Sequence, residues 1–383
     1  MMIAKKSIKF FTVLALVFAS FGVFASGGDK KSSDNDGGQV NTKEEINDYI
    51  KHHLADSHDF AFYSYTNDEG ERKHFGFPLP VIVKTSKGIK TFMSSKFHHN
   101  DDGTVVVDAG DVKLVKIHSK IYELNEGESA VAFDETHHAT NAHKVLDFSI
   151  TKSVFGMLLA GLLLLLGFGS LAKGYKKGAI PTGVGRVLEP LVLYVRDEIA
   201  RPNIGEKKYK RFMPYLLTVF FFIWILNLLG LTPLGFNVTG QIAVTACLAI
   251  FTAIIYLTSG TKDFWAHTLW MPGVPVILRP VLAIIELVGF VLIKPFSLLV
   301  RLFANITAGH FVVMSLIALM MTLKAQFGAV ASTGISLVLT LFISVIEILV
   351  AFLQAFIFTM LSALFIGMAV EEHDHDHADA HSH

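Results

Sequence analysis

Apolar and polar residues alternate over Val81 to Met93, Thr104 to Val107 and Val112 to Leu124, the period of two expected of half-buried β-strands. Ser86-Lys87-Gly88 and Asp101-Asp102-Gly103 stand between these runs as turn signals, and Thr42 to Leu54 reads as a helical lead-in. The pattern changes at Val154. From there to Ala172 no residue is charged, and the run is long enough to cross a bilayer, which takes about 20 residues. Four more apolar stretches follow, at Phe212 to Leu231, Ile242 to Thr258, Val274 to Leu323 and Gly334 to Val370. The fourth run has the length of two spans but is interrupted by Glu286, Lys294-Pro295 and Arg301; it reads as one long, tilted or bent helix, giving five crossings.

Composition agrees with a membrane class: 52% of the 383 residues are apolar and 17% charged. With 33 Lys+Arg against 33 Asp+Glu there is no basic field for nucleic acid. The placement of charge says more. Lys5, Lys6 and Lys9, an apolar core from Phe10 to Phe24 and the small-residue exit Val23-Phe24-Ala25 form a secretory signal with expected cleavage after Ala25. Ten basic residues between Lys173 and Arg211 mark a cytoplasmic loop under the positive-inside rule. Both signals export the N-terminal region of a bacterial inner-membrane protein, and five crossings bring the C-terminus to the cytoplasm. The expected organisation is a signal peptide (1–25), a small extracytoplasmic β-rich domain (26–145), an all-α polytopic membrane domain (146–372) whose last two helices are long and tilted, and a His/Asp-rich tail (373–383).

Charges within apolar spans are costly, about 2.5 to 3.5 kcal/mol at a helix centre, so each is a functional candidate. Arg301 lies in Leu298-Leu299-Val300-Arg301-Leu302-Phe303, far from either end of its apolar run, and His310 and Glu347 are similarly placed. At about 100° per residue Ser297, Arg301 and Asn305 share one helix face while His310 falls opposite. On the last helix Ser344, Glu347 and Gln354 share a face. Imidazole and carboxyl groups exchange protons near neutral pH, whereas a guanidinium keeps its own. The set suits a proton route interrupted by a fixed positive charge.

Lys294-Pro295-Phe296-Ser297 followed by Arg301-Leu302-Phe303-Ala304-Asn305-Ile306-Thr307-Ala308-Gly309-His310 closely resembles the signature of the subunit a family of F-type ATP synthases. Leu353-Gln354-Ala355-Phe356-Ile357-Phe358 resembles that family's last-helix motif, and Phe221 to Pro233, with Asn227-Leu228-Leu229-Gly230-Leu231, its earlier hairpin. His58-Asp59 and Pro78-Leu79-Pro80 are similar to its N-terminal segments. The resemblance covers His52 to Pro80 loosely and Val145 to Glu372 well. It implies a stator subunit beside a ring of c subunits, held by a b-type peripheral stalk in membrane lipid, passing H+ (or Na+, a choice made mainly by the ring) through two half-channels. Arg301 then matches the essential arginine, Asn305 and Gln354 polar residues of the ring contact, and His310 with Glu347 the entry pair. Ser297 and Lys294 are weaker candidates, as is Glu286, which stands one residue out of register with an acidic position of the family.

No phosphate loop and no His-Glu-x-x-His pair is present, so nucleotide chemistry is expected of other subunits and no cofactor is expected. The lone cysteine, Cys247, provides neither disulfide nor metal site. The histidines of the polar region and the tail read as solvated side chains rather than ligands. The rival reading is a proton-coupled secondary transporter, with Arg301 binding an anionic substrate. It would be favoured by inverted repeats, and the sequence shows none.

Overall fold

In a computed structural model, the structure describes residues 56–66, 72–98, 100–134, 139–177, 185–232, 236–270, 275 and 277–371. The expected signal peptide, the lead-in at 42–54, the tail 373–383 and His52, His53, His99, His137 and His138 lie outside them. The chain forms two compact units.

The first unit holds residues up to Leu159 with Leu228–Val238 and Ala308–Ile348. Its β-rich part has nine strands among the described residues: β1 (Asp59–Thr66), β2 (Arg72–Pro78), β3 (Pro80–Thr85), β4 (Gly88–Met93), β5 (Asp102–Asp108), β6 (Lys113–Ile117), β7 (Lys120–Leu124), β8 (Ala142–Lys144) and β9 (Leu146–Asp147). They pair antiparallel as β1-β2, β4-β3-β9 and β5-β6-β7-β8. The alternation over 81–93 and 112–124 is thus realised as two hairpins, with Val81, Val83, Leu114 and Ile121 buried together with Phe97 and Val145. Ser86-Lys87 turns the chain as expected. Asp101-Asp102-Gly103 does not. Gly103 sits inside β5 at φ +77°, where the pairing with β6 shifts register, and the direction change falls earlier, at a 3-10 turn over Ser94–Phe97. Asp-Gly thus serves a bulge here, because glycine accepts positive φ in either setting.

A buried ion pair and a part-buried His–Asp hydrogen bond tie this region together. Lys116 Nζ lies 3.0 Å from Asp59 Oδ2 and 4.0 Å from Asp101, and His58 Nε2 lies 2.7 Å from Asp147 Oδ2. Burial opposes ionisation of Asp147, but hydrogen bonds from His58 and Ser149 outweigh it and hold the carboxyl below its ordinary range. Next to them begins α1 (Lys152–Lys177). Its first amides are satisfied by the strand lead-in, Lys152 N donating to Ser57 O at 2.9 Å and Ser153 N to Asp56 Oδ1 at 2.9 Å. Phe60, Phe77, Phe155 and Phe236 pack ring on ring at the same place.

The second unit holds Ala160–Asn227, Thr239–Thr307 and Leu349 onward. Its helices include α2 (Gly185–Tyr194), α3 (Arg201–Ile204), α4 (Tyr209–Gly230), α5 (Ile242–Ser259), α6 (Lys262–Leu269) and α7 (Arg279–Val288), with π-turns at Val195–Ala200 and Gly289–Ile293. The last helix, α8 (Lys294–Val370), contributes to both units. Its backbone is helical throughout, yet Asn305 and Gln354, 49 positions apart, are hydrogen-bonded at 3.0 Å. A straight helix would separate them by about 74 Å at 1.5 Å per residue, so α8 doubles back between them.

Among the described residues five helical stretches are long and apolar enough to cross a membrane: Lys152–Lys176, Tyr209–Gly230, Ile242–Ser259, Arg279–Gly309 and Leu337–Val370. Of the ambiguous run 274–323, the part Arg279–Gly309 forms one such stretch. Much of this surface is apolar and exposed, as at Leu165, Ile254, Ile284 and Leu349, which lipid or an apolar partner can solvate. Within the second unit close approach replaces bulk: a Cβ on Gly367 would fall 1.9 Å from the Asn203 carbonyl oxygen, so only glycine fits where α8 passes α3.

Candidate functional site

The N-terminal arm of α8 carries the polar face expected from its spacing. Ser297 and Arg301 are exposed, Asn305 is half-buried, and among the described residues Arg301 has no hydrogen-bond or ion-pair partner. Its surroundings are apolar, with Phe296 and Val300 exposed beside it. Below it Asn305 Nδ2 donates to Gln354 Oε1, which joins the two arms of α8 through their side chains. Gln354 is 3% exposed and its Nε2 has no hydrogen-bond partner among the described residues, so half of this amide remains uncommitted there.

One residue that sequence reasoning left inside a motif without a role turns out to brace this pair. Asn227, at the end of α4 and 2% exposed, donates from Nδ2 to Ala351 O at 3.3 Å and accepts from Thr239 Oγ1 at 3.0 Å. Ala351 is one helical turn before Gln354, so Asn227 fixes the height of Gln354 against α4. Its signal in the sequence was a lone amide in an otherwise apolar stretch, Ile225-Leu226-Asn227-Leu228-Leu229.

Lys294 is directed inward. Its Nζ stands 3.1 Å from the Phe290 ring centroid and 5.2 Å from that of Phe365, in cation–π contact, and 4.0 Å from Met368 Sδ. Glu286 interacts with it electrostatically, while one buried Glu286 oxygen has no hydrogen-bond partner among the described residues.

Glu347 and Gly309 belong to the first unit. Glu347 is half-buried and its buried Oε1 has no hydrogen-bond partner among the described residues. A Cβ placed on Gly309 would lie 3.1 Å from that oxygen and 3.6 Å from Cδ, so the carboxyl rests directly on the backbone of the facing arm, next to His310. The side chain of His310 lies outside the described residues. Ser344, on the same face of α8 as Glu347, returns its hydroxyl to Thr340 O at 2.8 Å. Among the described residues no group of three or more His, Cys, Asp or Glu is gathered as for a metal ion.

Charged and amide side chains on apolar helices invite comparison with known proteins. The family model described as ATP synthase A chain matches residues 154–367, more than half of the sequence. The chain belongs to the ATP synthase A chain family. A protein named ATP synthase subunit a from Chlorobium phaeobacteroides is 45% identical over 250 residues, covering 61% of this chain and 70% of the relative. One of the same name from Chloroherpeton thalassium is 45% identical over 252 residues, covering 62% and 71%. The Myxococcus xanthus protein so named is 41% identical over 247 residues, covering 61% and 79%. The β-rich segment outside the family match is similar to a domain of unknown function, DUF8433, over residues 49–148.

Proposed function

We propose that the chain is the proton-translocating stator subunit of an F-type ATP synthase membrane sector, working beside a c-ring with b-type stalk subunits and coupling ion flow, H+ or Na+, to rotation. The observation that carries this reading is Arg301: a guanidinium exposed on a largely apolar helix, with no partner among the described residues, calls for an anion from another molecule. A ring carboxylate arriving at that face meets a fixed positive charge that favours its ionised form and drives its proton onward. The same charge repels a proton that would pass directly between two half-channels. Asn305 and Gln354 line the contact, the free Gln354 amide offering a donor to the ring carboxylate. Glu347 with His310 receives protons on the entry side.

The orientation belongs to the same proposal. Cleavage follows Ala25, residues 26–145 form a periplasmic domain, 146–372 the membrane domain and 373–383 a solvated tail, with the C-terminus in the cytoplasm of the bacterial cell. The test is Arg301→Ala in the whole synthase, reconstituted in vesicles with an imposed pH gradient. ATP synthesis should vanish while the ring stays bound, because a potential of 100 mV provides only about 2.3 kcal/mol per charge and cannot restore a lost electrostatic step. Substantial synthesis by the alanine variant refutes the role of Arg301.

A further inference from the structure

The span Arg279–Gly309 is not a uniform α-helix. Gly289–Ile293 forms a π-turn, closed by Lys294 N donating to Gly289 O five residues back. When α spacing resumes, the carbonyl passed over is that of Phe290, and Pro295, two residues into α8, has no N–H with which to recover it. The donor comes from another helix: the hydroxyl of Tyr256 on α5, a fully buried side chain, hydrogen-bonds Phe290 O. An unsatisfied carbonyl in an apolar span is costly, so this contact is what allows the π-turn to persist.

The angular consequence is specific. In an unbroken α-helix, at about 100° per residue, Glu286 would stand about 80° from Lys294, about 60° from Arg301 and about 100° from Asn305. A π-turn absorbs one extra residue, which removes one step and reduces these angles to about 20°, 40° and 0°. The electrostatic interaction of Glu286 with Lys294 fits the aligned arrangement.

We propose that Gly289–Ile293 is a one-residue insertion that turns Glu286 onto the face bearing Lys294, Arg301 and Asn305, and that Tyr256 is the positioning residue that holds it there. The buried Glu286 oxygen, with no hydrogen-bond partner among the described residues, thereby joins the polar face as an additional proton-handling group. This deepens the proton-translocation reading and rests on it.

The test uses the complete synthase in inverted membrane vesicles, reading ATP-driven acidification and retention of the ring. Deleting Val291 removes the inserted residue and leaves Glu286 aligned, so most of the pumping should remain. Inserting one alanine after Val291 exceeds what a single π-turn absorbs, rotates Glu286 by about 100° and should lower pumping about tenfold or more. Tyr256→Phe should lower pumping several-fold with the ring retained. In a Cys247→Ser, Glu286→Cys background it should also reduce thiol labelling at position 286 relative to neighbouring positions, whereas general loosening would raise labelling at all of them. Equal damage from deletion and insertion in assembled enzyme, or an unchanged labelling pattern with Tyr256→Phe, overturns the inference. Arg301→Ala run in parallel separates the two ideas: pumping by that variant refutes the functional reading itself.

Discussion

Gly309→Ala is the smallest change that reaches the Glu347 carboxyl. The added methyl would stand 3.1 Å from Glu347 Oε1 and 3.6 Å from Cδ, inside ordinary van der Waals separation for the first contact, so the carboxyl must withdraw by a few tenths of an ångström. Glutamate can do this by rotating its side chain, and alanine is favoured over glycine within a helix by about 0.8–1 kcal/mol, so the fold and the complex should survive. The proton path should not. A group displaced on this scale loses alignment with its proton donor, and a loss of about tenfold in rate corresponds to about 1.4 kcal/mol in the barrier. The assay is ATP-driven acidification of inverted vesicles, normalised to bound ring. Glu347→Asp, one methylene shorter, should recover part of the loss when combined with Gly309→Ala although it is harmful alone, a coupling that a double-mutant cycle measures. Wild-type pumping by Gly309→Ala, or strict additivity of the two changes, would refute the idea that this contact sets the carboxyl.

Gln354→Leu removes the acceptor of Asn305 Nδ2 and should cost about 0.6–1.7 kcal/mol of helix association, seen as a lower detergent or heat midpoint, with a larger loss in pumping than in stability. Asp147, whose carboxyl is held below its ordinary value of 3.8, contributes stability that is present above that value and lost as the pH falls through the lower folded-state value. Hydrogen exchange of β3 and β9 in the intact chain should therefore accelerate on acidification below about pH 4, and Asp147→Asn should flatten that response. Protease added to spheroplasts should cut within 26–145 and spare Lys173 to Arg211; the reverse pattern inverts the topology.

How much of this was legible depended on how many atoms a residue's role requires. The crossings could be read because length and absence of charge are properties of a single segment, and the strands β3 to β7 because one apolar face imposes alternation. Strands β1 and β2 escaped: Phe60, Phe62, Tyr63 and Tyr65 put aromatic rings at both parities, so the period of two vanishes and only the ladder between 59–66 and 72–78 reveals it. Arg301, Asn305, Glu347 and Gln354 announced themselves as polar groups in apolar runs. The contacts that fix them did not. Asn227 acts through Ala351 O and Tyr256 through Phe290 O, and a backbone carbonyl leaves no trace in a side-chain pattern. Glu286 read as a weaker candidate, since spacing arithmetic assumes one helical pitch and the π-turn at Gly289–Ile293 changes it.

The distribution of charge partners separates fold from function within one chain. In the β-rich region Lys116 at 4% exposure meets Asp59 at 3.0 Å, and buried His58 meets Asp147 at 2.7 Å, although His58 Nδ1 has no hydrogen-bond partner among the described residues. Such contacts offset part of their own desolvation. In the apolar helices the charged groups are met less often, although lipid makes isolated polarity more costly there than in water. Arg301 has no partner among the described residues, and Glu286, Glu347 and Gln354 each keep a buried polar atom without one. If these groups only braced the helices, selection for stability alone would replace them by apolar residues at little cost, as hydrophobic substitutes for buried ion pairs often show. Open carboxyls such as those of Glu286 and Glu347 fit the proposed proton path, because a carboxyl already satisfied by a fixed neighbour has less capacity to pass a proton on. The β-rich region should therefore tolerate paired neutral replacements, while the helices should lose coupling on each single one.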